Sequence, residues 1–305
     1  MANLYGGTVY HSLEDLLDAD INAVSVCVRN EAHYTVTIRA LERGKHVLCE
    51  KPMAMTAEDC RAMVDFAESK KLNLMIGLNQ RYMAVHQKAK ELIGQGEIGK
   101  ILSFEVNFCH AGPDAWTNST DTWFFDKEKA VFGAMADLGV HKIDLISYLL
   151  DSKIIETYAV METLDKKFSD GTPSTVEDNA FCIYKMENGV IGTMHAGWTY
   201  YGGVDGKTII HGTKGVIQIY ADPNANLVIK YKDSTKRTFN LENTQCVDEK
   251  SGITYQNSGV IDEFIASIIE NRKPHSDGNS SLEAMNVIFA NNLSNRIHQP
   301  VKVNQ

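Results

Sequence analysis

The feature that most constrains this chain is an alternation within residues 21–78: apolar run, helical stretch, apolar run, helical stretch, apolar run. Residues 21–28 are largely apolar and rich in β-branched side chains. Residues 31–42 carry Ala32, Val36 and Leu41 among their apolar positions and stop at Gly44. Val47, Leu48 and Cys49 form a second apolar run, 56–71 a second helix and 74–78 a third run. Short apolar runs separated by helices of this length are buried strands of a parallel sheet, because the crossover helices cover its faces. Ligands of such sheets sit beyond the carboxyl ends of the strands. Beyond the second run the chain reads Glu50-Lys51-Pro52.

Upstream, Ser12 with Asp15 has the spacing of a helix start, and residues 8–10 are read as a short strand. After residue 82 the pattern changes. A helix is expected over 84–93, a half-exposed strand over 101–108, a Gly/Pro/Asn-rich loop over 112–122 and a helix over 132–150. The period from 154 to 239 is that of strands: 156–161, 179–186, 190–198, 208–211, 216–220 and 227–231. Asn188-Gly189 is a hairpin signal, Gly212 to Gly215 another turn. Helices over 259–271 and 281–296 close the chain. The fold class is therefore α/β: a truncated Rossmann-like parallel sheet followed by an α+β part with a large, mostly antiparallel sheet, divided at 1–82 and 83–305.

With 305 residues, 23% charged and 44% hydrophobic, the chain is long enough for two domains around a sizeable core. Its net charge of −9 argues against nucleic acid or an anionic membrane as partner. The six cysteines contain no C-x-x-C pair and several lie in apolar runs, so buried reduced thiols and a cytoplasmic location are expected. No signal peptide, membrane span or metal-ligand set is read from the sequence.

Two constellations carry chemistry. Lys51 follows a buried strand at the ligand end of a parallel sheet. On the 132–150 helix, Asp137 and His141 are four apart and Asp144 three further, so they share a face if the segment is α-helical. An Asp on that face can orient an imidazole and stabilise its protonated form. Separately, each pattern has an ordinary explanation, a solvated strand end or a surface pair. Together they supply what deprotonating an alcohol needs: an ammonium for the developing alkoxide and an imidazole for the proton.

These residues sit in a wider pattern: Val26-Cys27-Val28-Arg29-Asn30 with His33, Gly44 through Pro52, Gly77-Leu78-Asn79-Gln80-Arg81-Tyr82, Gly96-Glu97-Ile98-Gly99, and Asp137/Gly139/His141/Asp144. In this the whole chain resembles the Gfo/Idh/MocA oxidoreductases. The resemblance implies that Lys51 contacts nicotinamide and substrate hydroxyl, that Asp137 binds substrate and that His141 is the general base. It implies that Asn30, His33, Glu50 and Arg81 line the nicotinamide half of an NAD or NADP site, and that Trp123 with Tyr200 or Tyr201 contacts substrate. It assigns residues 1–82 to a partial dinucleotide-binding domain and 83–305 to substrate binding and oligomerisation, with a homo-oligomer expected. His195 and Trp198 are read as packing.

Two departures stand out. The glycine run common before the family's catalytic Asp is here Val131-Phe132-Gly133. The G-x-G-x-x-G turn that opens the family fold has no counterpart: Gly6-Gly7 follows no strand, and the Gly202 to Thr208 segment has Tyr201 where a P-loop needs its first glycine. In the strand order 3-2-1-4-5-6, residues 21–28 take the place of strand 4, whose neighbour strand 1 is missing. That edge is expected to be covered by a second copy, by residues 1–10 folded back on it, or left open. The functional expectation is an NAD(P)-dependent oxidoreductase acting on a secondary alcohol of a sugar or cyclic polyol. The alternatives are a catalytically silent paralogue that binds sugar or a partner, or a sequence that is part of a longer product.

Overall fold

The computed structural model describes residues 2–241, 245–247, 254–256 and 258–304. Strands β1 (Ala23–Val26), β2 (His46–Cys49) and β3 (Leu74–Ile76) form a parallel sheet in that order. The register pairs Val26 with Cys49 and Cys49 with Ile76. The crossover helices are His33–Glu42 and Ala57–Lys70. Thr56 begins the second, its hydroxyl accepting from the Asp59 N–H at 3.0 Å, and Lys71 ends it in the left-handed conformation. Both sheet faces are buried, as a parallel sheet requires. Val47, Cys49 and Ile76 join the main core, while Leu48 and Met75 point the other way onto Val260 and Phe264 of helix Val260–Ile269.

The two sheet edges are treated differently. Residues 276–277 cover the outer edge of β3, where the Ile76 N–H donates to the Ser276 carbonyl at 3.1 Å. Among the described residues nothing pairs with the far edge of β1. The expected strand at 8–10 is absent. The chain there has no regular structure and follows a short helix, Ala2–Tyr5, so folding back as a strand does not occur. Val9 is exposed, and so short a segment has no partner with which to form a ladder. The start at Ser12 is as expected: it caps helix Leu13–Leu17, its Oγ accepting from the Asp15 N–H at 3.1 Å.

The rest is organised by a nine-stranded sheet. Its strands are β4 (Ile101–Cys109), β5 (Ile154–Glu162), β6 (Asn179–Met186), β7 (Ile191–Gly197), β8 (Thr208–Gly212), β9 (Gly215–Asp222), β10 (Ala225–Tyr231) and β11 (Lys236–Phe239), plus Val301–Lys302. Their order is β11-β10-β9-β8-β4-β7-β6-β5, with Val301–Lys302 on the β5 edge. Every neighbouring pair is antiparallel except β4 and β7. One face packs on helices Val140–Leu150 and Gly278–Ile297 through Phe104, Val106, Ala180, Tyr184 and Met194. On the opposite face Val160, Phe181, Ile183 and Ile191 are exposed. Strand alternation in β6, where every second residue is buried, separates the two faces.

Two expectations are corrected in this part. The 112–122 loop contains a short helix, Pro113–Thr117, started by proline at its first position. The helix bearing the Asp/His pair opens as a π-turn, Met135–Gly139, and becomes α-helical only at Val140–Leu150. Such bulges are frequent at functional sites. Cys49, Cys60, Cys109 and Cys182 are buried free thiols and Cys27 is an exposed one. Cys246 lies outside the described side chains. Among the described residues no helix is long and apolar enough to cross a membrane, and no group of three His, Cys, Asp or Glu could hold a metal.

Candidate active site

Lys51 leaves the carboxyl end of β2 and reaches across to the π-turn. Its Nζ donates to Asp137 Oδ1 at 2.6 Å and to the Asp137 carbonyl at 2.8 Å. The second carboxylate oxygen of Asp137 accepts from Trp198 Nε1 at 3.1 Å. Burial alone would push the Asp137 carboxyl up. The Lys51 charge and hydrogen bond, with the Trp198 bond, outweigh it and hold the group below the usual carboxylate range. Both Asp137 oxygens therefore have partners, and neither is His141. The expectation that Asp137 orients the imidazole is not met: His141 Nδ1 is buried without a hydrogen-bond partner. Asp137 lies within the π-turn and His141 in the α-helix that follows, so they no longer occupy α-helical i, i+4 positions.

His141 is nonetheless near both charges. Burial, followed by the charge of Lys51, lowers its pKa to about 3 against the pull of Asp137. The imidazole is therefore uncharged near neutral pH. The Phe108 ring meets it edge-on, with centroids 5.9 Å apart.

The turn that precedes the helix is held by Glu177, whose Oε1 accepts from the N–H groups of Gly133 and Met135 at 2.9 and 3.0 Å. Burial pushes this carboxyl up to about 7 despite the two N–H donors. A Cβ on Gly133 would lie 1.8 Å from the Glu177 carbonyl oxygen, so only glycine allows the two backbones to approach.

Beside Lys51 runs a groove of about 180 Å³ lined by Asn30, His33, Glu50, Lys51, Trp123 and Asp137, among others. Asn30 Nδ2 donates to the Ala130 carbonyl at 3.1 Å. His33 is fixed between the carbonyls of Pro52 and Val28, 2.7 and 3.1 Å from its two ring nitrogens, and burial lowers its pKa. Trp123 stacks on Phe124 with centroids 3.9 Å apart. Of the residues singled out in the sequence, these six come together.

Four others do not line that groove, and the first of them, His141, borders a different cavity with Phe108 and Lys142. Arg81 donates to Asp144 at 2.8 Å and to the His275 carbonyl at 2.7 Å, and it borders a separate cavity with Asp144. Burial opposes its charge, but Asp144 raises the Arg81 pKa. Its guanidinium ties the first sheet to helix Val140–Leu150 rather than lining the groove. Tyr200 is exposed, and the Tyr201 hydroxyl bonds to Asp165 with the Lys166 ammonium over its ring. Neither tyrosine borders the groove.

Sequence reasoning missed two residues. Trp198 is fully buried and bound to Asp137, 61 positions away, and nothing local foretells that. His110 follows β4, and its charge environment includes Asp137 and Lys51. Its place at a strand end entering a Gly/Pro loop is a signal that could have found it. His195 is a packing residue as read, stacked on Phe181 and bonded to Asn179.

A parallel βαβ sheet joined to a large, mostly antiparallel sheet, with a lysine from one against an aspartate and histidine carried by the other, defines a two-part Rossmann-type oxidoreductase fold. Comparison with known proteins agrees. The family described as "Oxidoreductase family, NAD-binding Rossmann fold" matches residues 1–78, and the "GFO/IDH/MocA C-terminal domain" matches residues 86–218. The chain belongs to the Gfo/Idh/MocA family. Levoglucosan dehydrogenase of Pseudarthrobacter phenanthrenivorans is 33% identical over 217 residues, 66% of this chain and 55% of that protein. Glucose-6-phosphate 3-dehydrogenase of Bacillus subtilis is 33% identical over 188 residues, 61% of this chain and 53% of that protein. The matches thus span little more than half the length of these curated relatives. A solved levoglucosan dehydrogenase in complex with NADH and levoglucosan superposes with a TM-score of 0.86 at 26% identity, covering 97% of this chain and 84% of that one.

Proposed function

We propose that the chain carries the substrate side of an NAD(P)-dependent oxidoreductase acting on a secondary alcohol of a sugar or cyclic polyol. One observation carries this reading: Lys51 is salt-bridged to Asp137 at 2.6 Å, both line one groove, and the neighbouring His141 feels the charge of each. A hydroxyl placed between Lys51 and His141 would pass its proton to the imidazole as hydride leaves, a transfer that requires the ring's pKa of about 3 to rise when substrate binds. The Lys51 ammonium would stabilise the alkoxide as it forms, and Asp137 holds that ammonium in place. Trp198 fixes Asp137 in turn. When bound, the nicotinamide would supply the hydride acceptor, held by Asn30, His33 and Glu50, with Trp123 on the substrate side. The groove suits a flat ring, with stacked Trp123 and Phe124 in its wall. We further propose that the chain divides at 82/83 and self-associates through the exposed face of the nine-stranded sheet.

A second reading is a sugar-binding protein without dehydrogenase activity. It is favoured by the pKa of about 3 at His141, which makes the imidazole a weak proton acceptor. Calorimetric titration of the purified chain with NAD, NADP and a panel of sugars and polyols separates the two. The first reading expects a nicotinamide cofactor to bind and to be reduced in the presence of one of these alcohols. Sugar binding without affinity for either cofactor sinks it and leaves the second.

A further inference from the structure

The loop 110–122 begins and ends near Lys51 and Asp137. His110 at its start feels the charge of both, and Trp123 and Phe124, just past its end, line the groove with them. Between these points the chain bears Trp116 on the short helix Pro113–Thr117, and this indole is 60% exposed, the most exposed of the three tryptophans. A single exposed apolar side chain is ordinary. Trp116 does not stand alone. Its ring meets Phe124 edge-on with centroids 5.2 Å apart, and Phe124 stacks on Trp123 at 3.9 Å. Three aromatic rings therefore run in contact from the groove wall to the outer surface.

The loop that carries this indole is pinned. The buried Lys166 ammonium donates to the Ala111 carbonyl at 2.6 Å and to Asp114 Oδ2 at 2.9 Å. On the other arm, Asp121 Oδ1 accepts from the Ser169 N–H at 3.1 Å. Within the loop, the Gly112 N–H donates to His110 Nδ1 at 2.9 Å and the Thr117 hydroxyl to the Pro113 carbonyl at 2.7 Å. Residues 166–169 thus hold both arms, and Trp116 is presented with little left to order when something binds it. Such preorganisation lowers the cost of association, and an indole offers a broad face for little loss of side-chain freedom.

The surroundings of the indole say what it takes. Ala115, Thr117, Asn118, Ser119 and Thr120 are all exposed beside it, so residues 115–120 offer hydroxyls and an amide but no charge. A charged partner finds no counter-charge there, and the core of a subunit interface is built of several large apolar side chains rather than one. An aromatic face fringed by neutral hydrogen-bonding groups fits a sugar ring, whose C–H face packs on the indole while its hydroxyls reach the fringe. We propose that Trp116 is an outer subsite for the second ring of a glycoside whose reacting ring lies in the groove against Trp123. The inference rests on the function proposed above and extends it from single sugars to glycosides.

The test is calorimetric binding of glucose, maltose, cellobiose and phenyl β-glucoside to the purified chain, alongside reduction of NAD and NADP by each. At least one of the three glycosides is expected to bind about tenfold or more tightly than glucose. Trp116→Ala should bring that ratio near one, and Trp116→Tyr, which keeps a ring, should retain most of it. The exposure of the position lets both variants fold. Iodide quenching of the Trp116 emission, read as the difference between the native chain and Trp116→Tyr, should fall when the tighter glycoside is bound. A ratio near one in the native protein, a preference that survives Trp116→Ala, or unchanged quenching overturns the subsite. So does a loss of oligomer mass in light scattering on Trp116→Ala, which would make the patch a subunit contact. Glycoside binding that depends on Trp116 but yields no cofactor reduction supports the subsite while removing the dehydrogenase reading. Cofactor reduction with no glycoside preference does the reverse. Binding of none of the four overturns the subsite.

Discussion

At the scale of single residues, the controlling contact is Lys51 to Asp137, with side chains 19% and 13% exposed. A largely buried ion pair is costly to break from one side, because the remaining charge is left without compensation. Lys51→Met and Asp137→Leu are each expected to destabilise the chain by about 3 kcal/mol, with the double variant less destabilised than the sum. Urea unfolding of the four proteins checks this. On the proposed function, His141→Asn should fold normally, since the imidazole makes no hydrogen bond, and lose about 10²- to 10⁴-fold in turnover of any sugar alcohol the chain is found to oxidise. Steady-state rates at saturating cofactor measure that loss. The pair Lys51/Asp137 was legible in the sequence as two separate candidates, but not as partners. Asp137 and His141 were instead paired by α-helical spacing, and the π-turn Met135–Gly139 undoes that spacing. Arg81 was likewise misplaced, because its charge is held by Asp144, 63 positions away. Local periodicity carries no information about such distant partners.

At the scale of elements, the segment 133–141 depends on a contact from outside its own helix. Glu177 occupies the place of a cap, and Gly133 makes room for its backbone. Gly133→Ala is expected to destabilise by about 2 kcal/mol, within the usual cost of overpacking, and to lower catalytic turnover by displacing Asp137. Thermal unfolding together with rates would show both effects. Glu177 also titrates with folding. Its folded pKa of about 7 lies above the ordinary 4.5, so the stability it contributes is full below about 4.5 and is lost as pH rises through about 7. Glu177→Gln should flatten stability against pH across that window. Elements whose ends are set by local chemistry were readable from the chain. Ser12 caps as its spacing with Asp15 suggests, the second crossover helix starts at the expected Thr56, Asn188-Gly189 turns between β6 and β7, and β6 begins and ends where its alternation does. The strand imagined at 8–10 failed for the complementary reason: three residues of suitable type make no strand without a neighbour to pair with.

At the scale of the whole molecule, two properties follow from where charge and apolar surface lie. His86 and His141 are buried and neutral, with pKa values near 3 in the fold against 6.5 outside it. Between those values the unfolded chain binds protons that the folded chain does not. The contribution of these two imidazoles is therefore full above about pH 6.5 and falls as the pH drops toward 3, by up to about 1.4 kcal/mol per pH unit for each, a slope that Glu177 opposes between about 4.5 and 7. Urea midpoints from pH 7 to pH 4 would display the slope, and His86→Phe should reduce it. The second property is the exposed face of the nine-stranded sheet, where Val160, Phe181, Ile183 and Ile191 stand out. If this face joins copies, Ile183→Glu converts the oligomer to a monomer in light scattering with little change in secondary structure.

Trp198 gives the molecule an internal optical probe. Its indole is wholly buried and donates to the same carboxylate that receives Lys51 from the other sheet. The emission of an indole shifts with the charge placed next to it. A ligand that draws the Lys51 ammonium from Asp137 changes that local field, so occupancy of the cleft can be followed as a spectral shift without a label.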